Sequence, residues 1–533
     1  MNALGVLDYA VIGLYLAGTA GIAMRMSRRQ TTTREYFTAD RKIPGWAVGF
    51  AMMATTVSSV TFVGIPGSTF ARDWWQMLYM LMALGVLTVL VPFVVPLYRR
   101  AVKMSAYEYL EQRFGYGARL YGAAGFILLR IADVGFTLYL TGVAVEVITG
   151  WDIRAVVLGV GAFTVAYTLI GGIEATIWSS VVQGSILVGS AVLILSAIFL
   201  GSEASPATLA AHAFQQGKFN LGNFDLGWST LYRKEATAWI LMIAGLLHFA
   251  RYYVTEQSII QRYLVARTDR EAKSGVRLGV LITVPTWVTF AFIGTFLWSF
   301  YDLSGTTLPQ QVLAQPDNIV PHFIATQLPT GLVGLILAGL LAPSMSSVSA
   351  DLNSVATVLT KDFFARAFPR TADRGQLRFG RFAVFIGGVW CTGAALLLTL
   401  TRSTAAYEMV VISVSIVAGG MLGLFGLGFL SLRANRAGAY VGIIVCMLFV
   451  GWATLTGPLG LDLGYNFRMN ALLIGVFSHF ILFGVGYLAS RALGGGTPDV
   501  QRLTVWALKG TLVGEDEEAG EPPRAVSPGS ESR

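Results

Sequence analysis

The chain alternates long apolar runs with short polar ones from near residue 6 to near residue 491. The runs are about 20 residues each, the length that carries a helix across the hydrocarbon core of a bilayer. The pattern predicts about thirteen spans, near 6–25, 45–70, 76–98, 119–148, 155–170, 177–201, 237–253, 277–302, 326–360, 380–401, 406–431, 437–456 and 469–491. The expected fold class is an all-α polytopic membrane protein. One membrane domain is expected over 1–491, followed by a disordered cytoplasmic tail over 492–533. The tail opens with Gly494-Gly-Gly-Thr-Pro and closes in Glu, Pro, Ser and Gly, too polar to bury a core of its own. Two external stretches, about 202–236 and 303–325, carry Pro, Gly, Asn and Gln and read as lids.

Three runs break the apolar pattern. The segment Leu340–Ser354 places Ser344, Ser346, Ser347, Ser349 and Asp351 inside a membrane helix. Hydrocarbon penalises such groups unless they face a cavity, an ion or a partner helix. Neutral oxygens with little fixed charge suit a weakly held monovalent cation. A small-residue packing face is the alternative, since Ser and Ala let membrane helices approach closely. In the second span, Ala51–Gly67 combines Thr55, Thr56, Ser58, Ser59 and Thr61 with Gly64, Pro66 and Gly67. Hydroxyls that compete for backbone bonds, together with Gly and Pro, predict an unwound helix. The seventh span is short, contains Gly245 and ends in polar residues. Two interrupted helices in corresponding places point to a transporter site between inverted repeats. No repeat is visible as sequence identity.

Composition and charge narrow the function. Hydrophobic residues make up 54% of the 533 and charged residues only 13%, against about 25% charged in soluble proteins. A net charge of +8 invites a nucleic-acid partner, but its distribution excludes one. The basic residues concentrate in Arg25–Lys42, Arg99–Arg119, Arg262–Arg277, Lys361–Arg381 and Arg433–Arg436, loops that alternate onto one side of the membrane. The loop from Tyr301 to His322 has none. This places the N-terminus outside and the C-terminus in the cytoplasm. No basic region precedes the first apolar run, which therefore reads as an uncleaved helix rather than a signal peptide. One compact chain without a targeting segment fits the cytoplasmic membrane of a bacterium. Cys391 and Cys446 both lie in apolar spans and imply neither a disulfide framework nor a metal site. With four histidines and no paired acid and base, an intramembrane enzyme is not expected. A signalling module would need a longer folded tail. A channel would lack coupling between the broken helices and an ion site.

Four motifs carry a family resemblance. Tyr167-Thr-Leu-Ile-Gly-Gly-Ile-Glu-Ala175 followed by Trp178-Ser-Ser-Val-Val-Gln183 is similar to the turn and the Trp-to-Gln run of the sodium:solute symporter family. Glu256-Gln-Ser-Ile-Ile-Gln-Arg-Tyr-Leu264 resembles that family's loop after its broken helix. Ser346-Ser347 through Ser354 and Asp362 resemble its ion-site helix, and Ser105–Gly115 its cytoplasmic loop. The resemblance implies sodium-coupled uptake by alternating access. It also implies a five-plus-five inverted repeat of the leucine-transporter type, with one extra helix before it and two after. The core repeats would be about 45–201 and 237–431.

Residue by residue, the resemblance implies a sodium ion held by the carbonyls of Ala54, Val57 and Pro343 and the hydroxyls of Ser346 and Ser347. Proline at 343 departs from the small residue expected there. Many relatives have Asp where this chain has Ser180, and a small residue where it has Asp351. Ser180, Ser349 and Asp351 are therefore candidate ligands of a second cation. Alternatively, Asp351 pairs with an Arg at the cytoplasmic end of its helix. Arg130, deep in the fourth span, resembles the Arg that holds the substrate carboxylate in sialic-acid members. Its planar fork suits that group. An intrahelical pair with Asp133 at i+3 and a gating role are the alternatives. Thr56, Ser58, Thr61 and Gln76 match positions lining that pocket. Trp74-Trp75 and the absence of Lys after the start of the eighth span weaken a neutral hexose. Arg251 and Glu256 read as an inner gate pair, His248 as structural, and Glu146 and Glu408 as groups meeting water at external span ends. The expected partners are a small organic solute, a carboxylate such as sialic acid or a monocarboxylate, and the lipid bilayer. A sugar or proline remains the alternative solute. The oligomeric state stays open.

Overall fold

The computed structural model describes residues 4–27, 30–401, 419–494 and 501–508. Among the described residues, ten helices are long and apolar enough to cross a membrane, and a bent pair makes an eleventh span. They map onto the predicted runs with one merger. Ile153–Gly201 holds the predicted fifth and sixth spans as one helical run of 49 residues. Straight, it would reach ~74 Å, more than twice a bilayer core. The ladder breaks at Gly172, which takes φ 59° and ψ −158°. A Cβ there would lie 2.8 Å from the Tyr36 ring and the Tyr36 carbonyl, so both the angle and the space require glycine. The first half of the predicted span 406–431 lies outside the described residues, and Met421–Leu430 belongs to its described half.

Two helices are interrupted, where the sequence places the breaks. The first runs Gly45–Thr56, then Val60–Ala71 after a bend of 63°. Val57 at the break is extended, with φ −90° and ψ 117°. The hydroxyls of Thr55 and Thr56 donate back to the carbonyls of Ala51 and Met52, the local bonding that competes with a continuous ladder. The second runs Ala238–Thr255, then Gln257–Leu264, through Glu256 at φ −84° and ψ 118°. Each predicted core repeat thus begins on a helix interrupted by one extended residue.

Glycine sets how closely the first broken helix packs. Gly45 and Gly49 face Gly275 and Gly279 on the helix Asp269–Ser304. A Cβ on Gly45 would lie 2.5 Å from the Glu271 carbonyl oxygen, and one on Gly275 would lie 2.7 Å from that of Gly45. Spacing by four puts each pair on one helix face, the small-residue contact that membrane helices use to approach. Higher up, Gly294 meets Pro66, where a Cβ would come within 2.1 Å of the carbonyl oxygen.

The two predicted lids contain helices and are tied down. Pro206–Gln215 lies in the first, and Gln310–Ala314, Pro316–Asn318 and Ile319–Gln327 follow the eighth span. Lys218 Nζ donates to the carbonyls of Phe70 at 2.7 Å and Arg72 at 3.0 Å. It therefore caps the C-terminal end of the first broken helix. Within the predicted tail, 501–508 forms two short turns against the bundle. Tyr109 Oη donates to the Leu503 carbonyl, and Trp506 Nε1 to that of Leu430, each at 2.8 Å.

Candidate functional site

The helix Leu332–Val358 carries the serine run, and every one of its hydroxyl residues is buried. Its two polar faces do different things. On one, Ser346 Oγ lies 2.8 Å from Ser180 Oγ, and Ser349 Oγ donates to the Ser346 carbonyl at 3.0 Å. On the other, Ser347 Oγ donates to the Thr55 carbonyl at 3.2 Å, across to the first helix break. Tyr167 Oη donates to the Met345 carbonyl at 2.9 Å, which fixes the helix against the first repeat. Ala54 and Val57 are fully buried at the break. Past it, the Thr61 and Phe62 amides both turn to the Ser58 carbonyl. No backbone amide among the described residues closes on the Ala54 or Val57 carbonyl. Buried carbonyls without donors call for another partner, and the Ser347 hydroxyl reaches the same break at the Thr55 carbonyl. This donor set, all neutral oxygen, fits sodium.

A cavity of about 780 Å³ lies against the same break. It brings together Thr56, Ser58, Thr61, Arg130, Ser347 and Asp351, six of the residues singled out in the sequence. Gln76 is elsewhere. It lines a separate pocket of about 440 Å³ with Arg72, Trp75 and Asp317, nearer the outer end. Trp74 also stays out of the cavity, with its indole N–H on Thr295 Oγ1 and its ring against Phe219 and Phe292. Aromatic walls come instead from Tyr79, Phe249, Tyr252 and Trp287. His248 lines the same wall, stacked on Tyr252. Glu408 lies outside the described residues.

Arg130 stands in a ring of carboxylates. Its Nη1 is 3.0 Å from Asp133 Oδ2 and 3.6 Å from Asp351 Oδ2, and its Nε is 3.5 Å from Glu256 Oε2. Glu256 also pairs with Arg251, the gate pair read from the sequence. The intrahelical pair with Asp133 therefore exists, and Arg130 lines the cavity as well.

Asp351 departs from both of its sequence readings. It does not join Ser180 and Ser349, and its Arg partner lies in the cavity rather than at the helix end. Ser347 and Asp351, four apart, share one face, whereas Ser346 and Ser349 share another. Arg262 is a residue the sequence reading passed over. It is fully buried, donates to Thr55 Oγ1 at 2.8 Å, and leaves Nη1 and Nη2 without hydrogen-bond partners. Its signal was present in the Gln-Arg pair of the loop after the second break.

Comparison with known proteins agrees with this geometry. The profile of the Sodium:solute symporter family matches residues 36–446. The chain belongs to the sodium:solute symporter family. Its relatives include the sodium/sialic acid symporter SiaT of Proteus mirabilis, 31% identical over 87% of this chain and 92% of that one. The sodium/sialic acid symporter NanT of Aliivibrio fischeri is 29% identical over 91% and 93%. The human sodium-coupled monocarboxylate transporter 1 is 27% identical over 86% and 75%. A solved Na+-coupled sialic acid symporter, substrate-bound and outward-open, superposes with a TM-score of 0.85 at 29% identity, covering 92% of this chain and 99% of that one. The nucleobase-cation-symport-1 transporter Mhp1 shares the fold alone, with a TM-score of 0.54 at 13% identity over 89% and 98%. This family member is a sodium-coupled symporter of a small organic solute, not an enzyme, built on the leucine-transporter type of inverted repeat.

Proposed function

We propose that this symporter imports a small organic carboxylate through a bacterial cytoplasmic membrane, with its N-terminus outside and its C-terminus inside. The cavity lining carries the reading: Arg130 shares it with Thr56, Ser58 and Thr61, at a helix break that Ser347 also reaches. A guanidinium and hydroxyls on one wall recognise a carboxylate and its polar neighbours. Sodium would bind the Ala54, Val57 and Pro343 carbonyls and the Ser346 and Ser347 hydroxyls. The sialic-acid relatives support a carboxylate, and Arg130 lines the cavity that would hold it.

Coupling follows from shared elements. Thr55 to Ser58 form one wall of the ion site and one wall of the cavity. Sodium that orders the break also orders the hydroxyls facing solute, so each ligand raises the affinity of the other by the same factor. Thermal stabilisation of the purified protein tests the reading. Sialic acid or a monocarboxylate should raise Tm in sodium chloride and lose that effect in potassium chloride or in Arg130→Ala. Stabilisation by a hexose alone would refute the carboxylate, and indifference to sodium would refute the ion site.

A further inference from the structure

The cavity holds an acceptor that nothing satisfies. Asp351 is 5% exposed and lines the cavity, and its Oδ1 is buried with no hydrogen-bond partner among the described residues. The buried Ser258 hydroxyl lies beside Asp351 and the Arg262 guanidinium faces the same carboxylate, but neither closes a hydrogen bond on Oδ1. The other oxygen, Oδ2, stands 3.6 Å from Arg130 Nη1, longer than the ~2.7–2.9 Å of a closed charged hydrogen bond. Arg130 makes its shorter pair with Asp133. A carboxylate oxygen withdrawn from water without a donor is costly to leave unpaired. A structural tie to Arg130 would have used both oxygens or a shorter distance.

We propose that Asp351 is a specificity-determining residue whose free oxygen accepts a hydrogen bond from the solute, so the transported carboxylate carries an O–H or N–H donor one or two carbons from its carboxyl group. This rests on the carboxylate reading of the cavity. The proximity of Arg130 to Asp351 sets the spacing. A carboxylate oxygen on the guanidinium leaves the donor on the adjacent or next carbon facing Asp351. A plain carboxylate would place only C–H against a buried anion and strand it. That is the case in which a polar site rejects the analogue lacking the group far more strongly than an apolar pocket rejects a methylene. A 2-hydroxy acid and a 2-amino acid both supply the donor. The ammonium of an amino acid would also face Asp133 and Glu256, and a hydroxyl leaves the charge of that ring unchanged.

The experiment is equilibrium binding to the full-length protein in sodium chloride with matched acids. One set is lactate, alanine and propionate, and the other is N-acetylneuraminate with its 2-deoxy analogue. The expected result is at least tenfold tighter binding of the donor-bearing member within a set. In Asp351→Asn that ratio should collapse to within about threefold, through weaker binding of the donor-bearing acid. Preference for lactate would assign the donor as a hydroxyl, and preference for alanine as an ammonium. Propionate equal to lactate and alanine, with the 2-deoxy analogue equal to its parent, overturns the inference and leaves the carboxylate reading intact. Discrimination that survives in Asp351→Asn moves the role to another residue and also overturns it. If no carboxylate binds in sodium, the carboxylate reading falls first and this one with it. The wild-type ranking needs no variant, so a misfolded Asp351→Asn leaves the inference exposed to refutation.

Discussion

At the scale of single residues, adjacent serines take different tasks because a helix turns 100° per residue. Ser347 reaches across to the Thr55 carbonyl, and Ser346 turns to Ser180. The sodium site proposed above uses both hydroxyls. Ser347→Ala should raise the sodium concentration for half-maximal transport about tenfold, roughly 1.4 kcal/mol. Solute affinity measured in saturating sodium should barely change. An unaltered sodium curve would remove Ser347 from the site. Gln76 gives the opposite test. It lines the outer pocket rather than the cavity, so Gln76→Ala should leave equilibrium solute binding within about twofold of wild type. A larger loss would return it to the site that its sequence position suggested.

At the scale of elements, close packing and one external cap hold the first broken helix. Gly294 lies against Pro66 with no room for a side chain. Gly294→Val should lower stability by about 1–3 kcal/mol through overpacking, read as a drop in Tm. The cap is Lys218, whose ammonium also sits 4.6 Å from the Trp298 ring centre. Burial pushes its pKa down from 10.5 to about 8, against weaker opposing pulls from Asp73 and Asp302. The sign follows from proton counting. Between about pH 8 and 10.5 the unfolded chain holds more protons at this lysine, so the folded state gains stability as pH rises. Below pH 8 both states are charged, and the folded one bears the full burial cost. Wild type should therefore gain Tm relative to Lys218→Met between pH 7 and pH 9.5. A pH-independent difference would show that the ammonium is well solvated.

At the scale of the whole molecule, the segment after the serine helix is joined to the loop Ser105–Gly115 and the helix that follows it. Asp362, fully buried after the serine helix, accepts from Ser105 Oγ at 2.6 Å and from Arg119 Nε at 2.9 Å. Arg119 also pairs with Glu111, and Glu111 with Arg366. Removing one partner of a buried ion pair leaves the other uncompensated. Asp362→Asn should loosen this face. A cysteine at the buried position Ala106 should then react faster with a polar maleimide applied from the cytoplasmic side. Unchanged labelling would make the network a permanent brace rather than part of alternating access.

The sequence determined the membrane class, both helix breaks and the serine helix. Each depends on local chemistry: run length against bilayer thickness, and hydroxyls, Gly and Pro against the helical ladder. The motif order was sufficient to identify the family. Tertiary structure decided which polar groups meet. Asp351 and Ser180 were adjacent candidates on paper, but helix phase turned Asp351 into the cavity beside Arg130 and Ser180 toward Ser346. Arg130 could pair with Asp133 or face solute, and folding made it do both, because i+3 spacing and cavity exposure are compatible on one helix. Gln76 matched a pocket position by order along the chain, yet it opens the next helix, Trp75–Leu81, and lines another pocket. Arg262 acquired meaning only when the short helix Gln257–Leu264 buried it against Thr55 at the first break. Local pattern fixes what a segment becomes, whereas the pairing of segments distant in the chain fixes which of its groups can do chemistry together.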